Sequence, residues 1–393
     1  MSWPTVPLAT VAEVKLGRQR SPKNHIGPMM RKYLRAANVG WSGLQLDDVN
    51  TMNFTAAEME VFRLVPGDIL LSEASGTPTE VGKPAIWNGE IADCAFQNTL
   101  LRVRSGPEVN SRYLLQYFSY QAATAAFARG SRGAGINHLG RDALAKWPVP
   151  LPPLNEQARI AAILELAICN QSRRHEIGDQ IDSLEAATFA SMFGSRSELL
   201  TRWPTKTLGE LLDFLTSGSR GWARYYSATG APFLRIQNVG RNSLSLDDLA
   251  RVDAPATAEA KRTKVAAGDV LLSITADLGR TAVVPEGLGD AYINQHLAIL
   301  RCESIDANFL SAFLSSTTGQ RQLLKRNRQG VKAGLNFDDI RSIEIPLPPA
   351  ELQAEFSEAC TRVSLARARN VKAINLDKEL LTSLRYRAFT GQL

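Results

Sequence analysis

Cysteine is scarce and scattered. Cys94, Cys169, Cys302 and Cys360 share no CxxC spacing and have no histidine cluster nearby. That argues against a zinc site and a disulfide framework, and fits a reducing compartment. No run approaches the ~18 apolar residues of a membrane span. The best candidate, ARIAAILELAIC at 158–169, is broken by Glu165. The N-terminus lacks a basic, apolar leader, so no signal peptide is expected and the cytoplasm is the expected location. Catalytic signatures are missing as well. There is no GxGxxG, GxSxG or HExxH, and the four histidines are dispersed. GTPTEVGKP at 76–84 spaces its glycines one residue too far apart for a phosphate loop, and no Ser or Thr follows Lys83. Asp253, Glu259 and Lys261 have the residue types of a metal-nuclease core. Their stretch is rich in Ala, Pro and Thr without a strand pattern, so a solvated loop is expected there. The Asn-Pro-Pro-aromatic sequence expected of a methyltransferase acting on a base amine is absent. Neither a catalytic residue nor a metal ligand is expected.

Negative charge is missing in a telling pattern. Acids number 39 of 393 residues, yet the stretches 14–46, 109–141, 214–246 and 307–337 contain none. The first holds Arg18, Arg20, Lys23 and Arg35; the second holds Arg129 and Arg132. The third holds Arg220, Arg224, Arg235 and Arg241; the fourth holds Lys325, Arg326, Arg328 and Lys332. One such run is usually just a solvated basic face. Four of them, falling at matching places in two halves of the chain, point to a polyanion surface on each half.

The halves match because the chain repeats itself at about 200 residues. YLRAANVG at 33–40 returns as FLRIQNVG at 233–240. PGDILLS at 66–72 returns as AGDVLLS at 267–273. PLPP at 150–153 returns at 346–349, and DSLEAATF at 182–189 returns as TSLRYRAF at 382–389. WPT and Leu-Asp-Asp recur too, in the same order. Each module opens with about 150 residues of short apolar runs punctuated by Gly and Pro, with one helical stretch at 112–128 in the first. That mixture reads as α+β. After each PLPP comes a proline-free helical pattern of up to about 35 residues, with Asn155 as its expected cap in the first module.

In the second helix Phe356, Val363, Asn370, Asp377 and Leu384 fall seven apart, and so do Leu352, Ala359, Ala366, Ala373 and Leu380. In the first, Ile160, Ile163, Ala167, Ile177, Ile181 and Leu184 follow the same rhythm, with Asn170 and Arg174 interrupting. Neither stripe can be buried by its own helix, so the two helices are expected to pack on each other. The expected division is 1–150, helix 151–194, 195–346, and helix 347–393.

Residues common to both modules should do a common job. Tyr33/Phe233, Leu34/Leu234 and Val39/Val239 are expected to pack a strand, with Asn-Val-Gly making its turn. Arg35 and Arg235 suit a local ion pair, with Asp47 or Asp247, as well as a phosphate contact. Residues that read bases should differ. Ala37 against Gln237 and Trp41 against Arg241 do, and Gln suits adenine as Arg suits guanine.

Two α+β modules, each closed by PLPP and a long helix, resemble the specificity subunit of type I restriction–modification enzymes. LGRQRSPK (16–23), YLRAANV (33–39), GDILLS (67–72) and above all PLPPLNEQARIAAIL (150–164) are similar to that family's stretches. The resemblance implies two target-recognition domains held apart by an antiparallel pair of long helices, and an asymmetric two-part DNA target with one part per domain. It implies two modification subunits that methylate adenine, docking at Asn155, Glu156, Gln157 and Arg159, and restriction subunits that translocate and cut. It implies no cofactor in this subunit, with S-adenosylmethionine, ATP and Mg2+ in its partners. The second module carries Glu351-Leu352-Gln353 in place of Asn155-Glu156-Gln157, which leaves the equality of the two docking sites open. A DNA-binding adaptor of another defence or modification system, and a nuclease in its own right, are the other function classes.

Overall fold

The computed structural model describes residues 3–129, 137–194, 198–326 and 334–393. The chain divides into two compact units. One comprises Met1–Arg174 with Ala373–Leu393, the other His175–Lys372. Each unit therefore owns one module and part of each long helix.

Both modules use the same sheet. The apolar run DILLS becomes the buried strand Ile69–Ser72, placed third in an antiparallel order of Ala12–Leu16, Leu100–Ser105, Ile69–Ser72 and Pro84–Ile86. The second module repeats that order with Phe214–Ser217, Leu297–Arg301, Val270–Ser273 and Thr281–Val283. Beside it lies a second sheet built on the repeated strand. Met30–Leu34 runs parallel to Ala95–Phe96, and Ala231–Leu234 parallel to Ala291–Ile293. Tyr33, Leu34, Phe233 and Leu234 point into the core, each at most 2% exposed. Each module is then closed by its own ends: Thr5–Pro7 pairs with Pro148–Pro150, and Thr205–Thr207 with Glu344–Pro346. The predicted helix at 112–128 is shorter, Ser111–Ala123, capped by Asn110; Ala125 at φ +53° turns the chain out of it.

The polar residues that recur are mostly internal. Asp68 and Asp269 have fully buried carboxylates, each gripped by two guanidinium bonds, from Arg104 (2.7 and 2.8 Å) and Arg301 (2.6 and 2.8 Å). Each also accepts a backbone N–H, from Val65 and Ala266. A buried carboxylate is tolerated only when satisfied in this way. Gly17 and Gly218 recur because a Cβ there would stand 2.2 Å from Gln97 O and 2.0 Å from Asn294 O.

The long helices are Leu154–Phe193 and Ala350–Thr390, 40 and 41 residues. Within each unit they run antiparallel. In the first, Arg159 donates to Leu393 O at 3.0 Å and Arg174 meets Asp377 at 3.6 Å. In the second, Arg367 meets Asp182 at 2.8 Å, while Phe189 and Phe193 pack on Phe356. Phe189, Phe193, Phe309 and Phe356 are at most 4% exposed. Burying each is worth about 1.5–3 kcal/mol.

The seam differs in part from the sequence pattern. The row Phe356, Val363, Asn370, Asp377, Leu384 is turned inward, but its companion is Cys360, Arg367, Ile374, Leu381 and Ala388. Leu380 is 52% exposed, whereas Leu381 is 7%. In the first helix Ile177 and Leu184 face solvent, and Gly178, Ile181 and Glu185 take the inner positions. Asn155 is no cap either: the helix starts one residue earlier, and Pro153 O accepts its first backbone bonds.

Candidate nucleic-acid interface

Four of the exposed cations sit on loops that leave the sheets at repeat-related points. Arg18 bridges to Gln97 and Ser219 to Asn294 in the same parallel sense, and a loop follows each. In the first module that loop carries Arg20 and Lys23, both exposed, on and before the turn Pro22–Asn24. Arg20 Nε contacts His25 Nε2 at 3.1 Å. In the second it carries Arg220 and Arg224, both exposed, with Arg224 over the Tyr225 ring at 4.8 Å. Arg129 is exposed on the segment that follows the helix Ser111–Ala123, and Lys325 is exposed on the helix Thr317–Arg326. None of these six makes an ion pair among the described residues, so each is free to neutralise a phosphate. Lys32, exposed within its acid-free stretch, has the same standing. Arg132, Arg328 and Lys332 lie outside the described residues.

Four predicted contacts are tied into the protein instead. Arg18 is nearly buried: it pairs with Glu58 at 2.6 Å, donates to Asn53 O at 2.8 Å and lies over Phe54. Burial works to raise the Glu58 carboxyl, but the Thr55 N–H and Arg18 outweigh it and hold it below the usual range. Arg326 wraps the end of the helix Phe337–Arg341, donating to Ser342 Oγ at 2.6 Å and Ser342 O at 2.7 Å. Arg35 pairs with Asp48 at 2.5 Å rather than Asp47, and Arg235 reaches the Asp248 carbonyl at 3.3 Å.

The Asn-Val-Gly loops present the tips that differ. Asn38 is buried; its Oδ1 accepts from Arg35 N, and its Nδ2 donates to Gln45 O and Asp48 O. Asn238 does the same with Arg235 N and Ser245 O. On these matched loops Trp41 and Arg241 are exposed, as are Ala37 and Gln237. Trp41 is held by Nε1 donating to Glu80 at 2.6 Å. Lys83 and then Trp41 lower the Glu80 carboxyl. Arg241 donates to Gln320 Oε1 at 3.4 Å. Glu80, Gln320, Asn242 and Glu185 were not legible as parts of this arrangement. Only Asn242 carries a signal, as a turn-forming residue right after the tip.

Of the expected docking residues, Asn155 and Arg159 are exposed. Glu156 pairs with Arg159 at 2.6 Å. Gln157 does not reach the surface. It is 0% exposed, accepts from Asn110 N at 2.7 Å and donates to Pro152 O and Glu108 O. Gln353 repeats this with Asp306 N and Pro348 O. The shared Gln thus ties helix to module, which is why it survives where Asn155-Glu156 does not. The Asp253–Lys261 stretch follows the strand Ala250–Val252 and runs through a loop into the helix Ala258–Arg262, more structure than expected. No carboxylate, His and Cys group there, or elsewhere among the described residues, could hold a metal ion. None of the described helices is long and apolar enough to cross a membrane.

The model of the type I restriction modification DNA specificity domain matches residues 3–176 and 201–372, once per module. Curated relatives include the EcoKI specificity subunit of Escherichia coli strain K12, 23% identical over 100% of this chain and 89% of its own. The EcoBI specificity subunit of Escherichia coli is 21% identical over 88% of this chain and 77% of its own. Among solved structures, a chain from work on complex assembly and conformational transition of the type I R-M system superposes with TM-score 0.65 at 19% identity, covering 100% of this chain and 98% of that one. The type I restriction-modification system S subunit from M. genitalium gives 0.54 at 14%, covering 99% of this chain and 96% of that one. With both modules matched, the chain belongs to the family of type I restriction–modification specificity subunits.

Proposed function

We propose that the chain binds an asymmetric, two-part DNA sequence, one half-site per module, as the recognition subunit of a type I restriction–modification complex. It docks two adenine-methylating modification subunits and the restriction subunits; S-adenosylmethionine, ATP and Mg2+ are used by those partners. The observation that carries this is how the repeat is shared out. Buried polar groups match across the modules, as in Asp68/Asp269, Asn38/Asn238 and Gln157/Gln353, whereas the exposed tips diverge, as in Trp41/Arg241 and Ala37/Gln237. Two equal frames with unequal tips suit one kind of ligand carrying two different sequences. Arg20, Lys23, Arg129, Arg220, Arg224 and Lys325 supply phosphate contacts, which position without reading. Docking falls to the exposed Asn155 and Arg159 and the half-buried Glu156 between them.

Mapping methylated adenines in DNA from cells that hold the chain and its modification subunits tests this. Two short elements separated by a fixed gap are expected. A single uninterrupted motif, or methylation with no motif, would overturn it.

A further inference from the structure

The tips Trp41 and Arg241 stand on matching loops, but the loops are anchored differently. In the second unit, Asn242, the residue after Arg241, sits at φ +59°. Its Nδ2 donates to Glu185 Oε2 at 3.1 Å on the first long helix. The other oxygen of Glu185 receives Arg367 Nη1 at 3.4 Å, and Arg367 Nε donates to Asp182 at 2.8 Å. These groups line a cleft of about 1200 Å³ between the loop and the helices of this unit. On its other side the loop is sewn to the sheet strand Thr281–Val283, with Ser243 N donating to Thr281 O and Thr281 N to Gly240 O. Gln320, which meets the Arg241 guanidinium, is itself fixed by donating to Gly279 O and Leu314 O.

We propose that Glu185 and Asn242 form a latch that positions Arg241 to read a guanine edge in the second half-site, and that this latch belongs to the second module alone. The proposal rests on the two-part reading above. Arg reads guanine through two parallel donors to O6 and N7, a contact that tolerates little misplacement. A loop held on both flanks supplies that placement before DNA arrives, so less ordering cost falls on binding. An Asn at positive φ suits the task, since it adopts the left-handed turn and still offers a donor. Burial of Glu185, only partly offset by Arg367 and Asn242, raises its carboxyl pKa, so each donor there is needed. In the other repeat the residue matching Glu185 is Arg385, whose Nε is buried without an acceptor. An arginine there cannot accept from a loop amide, so Trp41 relies on Glu80 instead.

The test uses the full chain with its modification subunits and three duplexes: the mapped target, and the target with either half-site replaced. Asn242→Asp puts a second carboxylate against Glu185; Asn242→Gly keeps the φ and removes the donor. Both are expected to bind the mapped target roughly five- to tenfold more weakly, the scale of one lost hydrogen bond. Both should match the wild type on the duplex whose second half-site is replaced. Glu185→Gln keeps an acceptor for Asn242 and should stay within about twofold of the wild type. Arg241→Ala should relax the methylated motif at one guanine of that half-site. Wild-type affinity of both Asn242 variants for the mapped target would overturn the proposal. Equal loss on all three duplexes would overturn it too, since that marks a general DNA contact. A wild-type chain that ignores both replacements would instead sink the two-part reading.

Discussion

Replacing Gln157 with Ala separates an internal role from a docking role. The side chain accepts from Asn110 N at 2.7 Å and donates to Pro152 O at 2.8 Å and Glu108 O at 3.1 Å. Asn110 caps the helix Ser111–Ala123, so its N–H lies where the module begins to pack on the long helix. Ala leaves one buried donor and two carbonyls unmet. A buried group stripped of its partner costs about 1–3 kcal/mol, and the lost donor dominates because a carbonyl keeps a second lone pair. With the small void added, Gln157→Ala should cost roughly 3–4 kcal/mol. Gln353 makes two such bonds, to Asp306 N and Pro348 O, so Gln353→Ala should cost roughly 2–3 kcal/mol. Urea titration followed by hydrogen exchange resolves the two sites. Gln157→Ala should weaken protection in peptides around 106–118, and Gln353→Ala in those around 302–314. A Gln157→Ala chain with wild-type stability that no longer assembles with modification subunits would refute the internal assignment.

Three further outcomes follow from the geometry. Leu381→Ala should cost about 2–4 kcal/mol in urea melts, and Leu380→Ala less than about 0.5, because only the first is buried; equal costs would return Leu380 to the seam. Arg20→Ala with Lys23→Ala should flatten the dependence of log K on log salt by up to about 0.9 per phosphate released, whereas Arg18→Ala should lower stability and spare the slope, since its guanidinium is spent on Glu58 and Asn53. The Glu80 carboxyl is held below its ordinary 4.5, chiefly by Lys83 and then by Trp41. Its stabilising contribution is therefore present above pH 4.5 and lost as pH falls through the lowered value; the fluorescence difference between wild type and Trp41→Phe should stay constant down to pH 4.5 and change only below it.

The duplication, the sheet-bearing modules and the long helices were legible because they rest on order and period, which one chain displays in full. The inner row of the second helix was half legible. A row spaced by seven can be completed from either side, and Leu352, Ala359 and Leu380 made the wrong side look more apolar. The true companion row contains Arg367, which reads as a solvent position. It is accommodated only because Asp182 and Glu185, far off in sequence, meet it across the helix pair. Gln157 misled for the opposite reason. It stands in a polar triplet at a helix start and looks like surface, and its three partners become visible only once the chain has closed on itself.

Basic side chains in the acid-free stretches divide by the same logic. Lack of a local acid does not leave an arginine unpaired, since Glu58 serves Arg18 from 40 residues away and Ser342 serves Arg326 across a helix end. Arg35 and Arg235 show what a repeat adds. Both lie half-buried, with Nε enclosed and without an acceptor, and both turn their outer nitrogens to the residue pair Asp48/Asp248. An identical enclosed guanidinium in two modules whose tips differ cannot be what tells two half-sites apart. It anchors the loop that Asn38 or Asn238 has already folded. On the proposed two-part reading, discrimination would fall on the exposed residues that follow in chain order, Ala37 and Trp41 against Gln237 and Arg241. The near-identical strings YLRAANVG and FLRIQNVG are thus a common stem, and on the proposed reading the few letters at which they and their next residues differ are where sequence would be read.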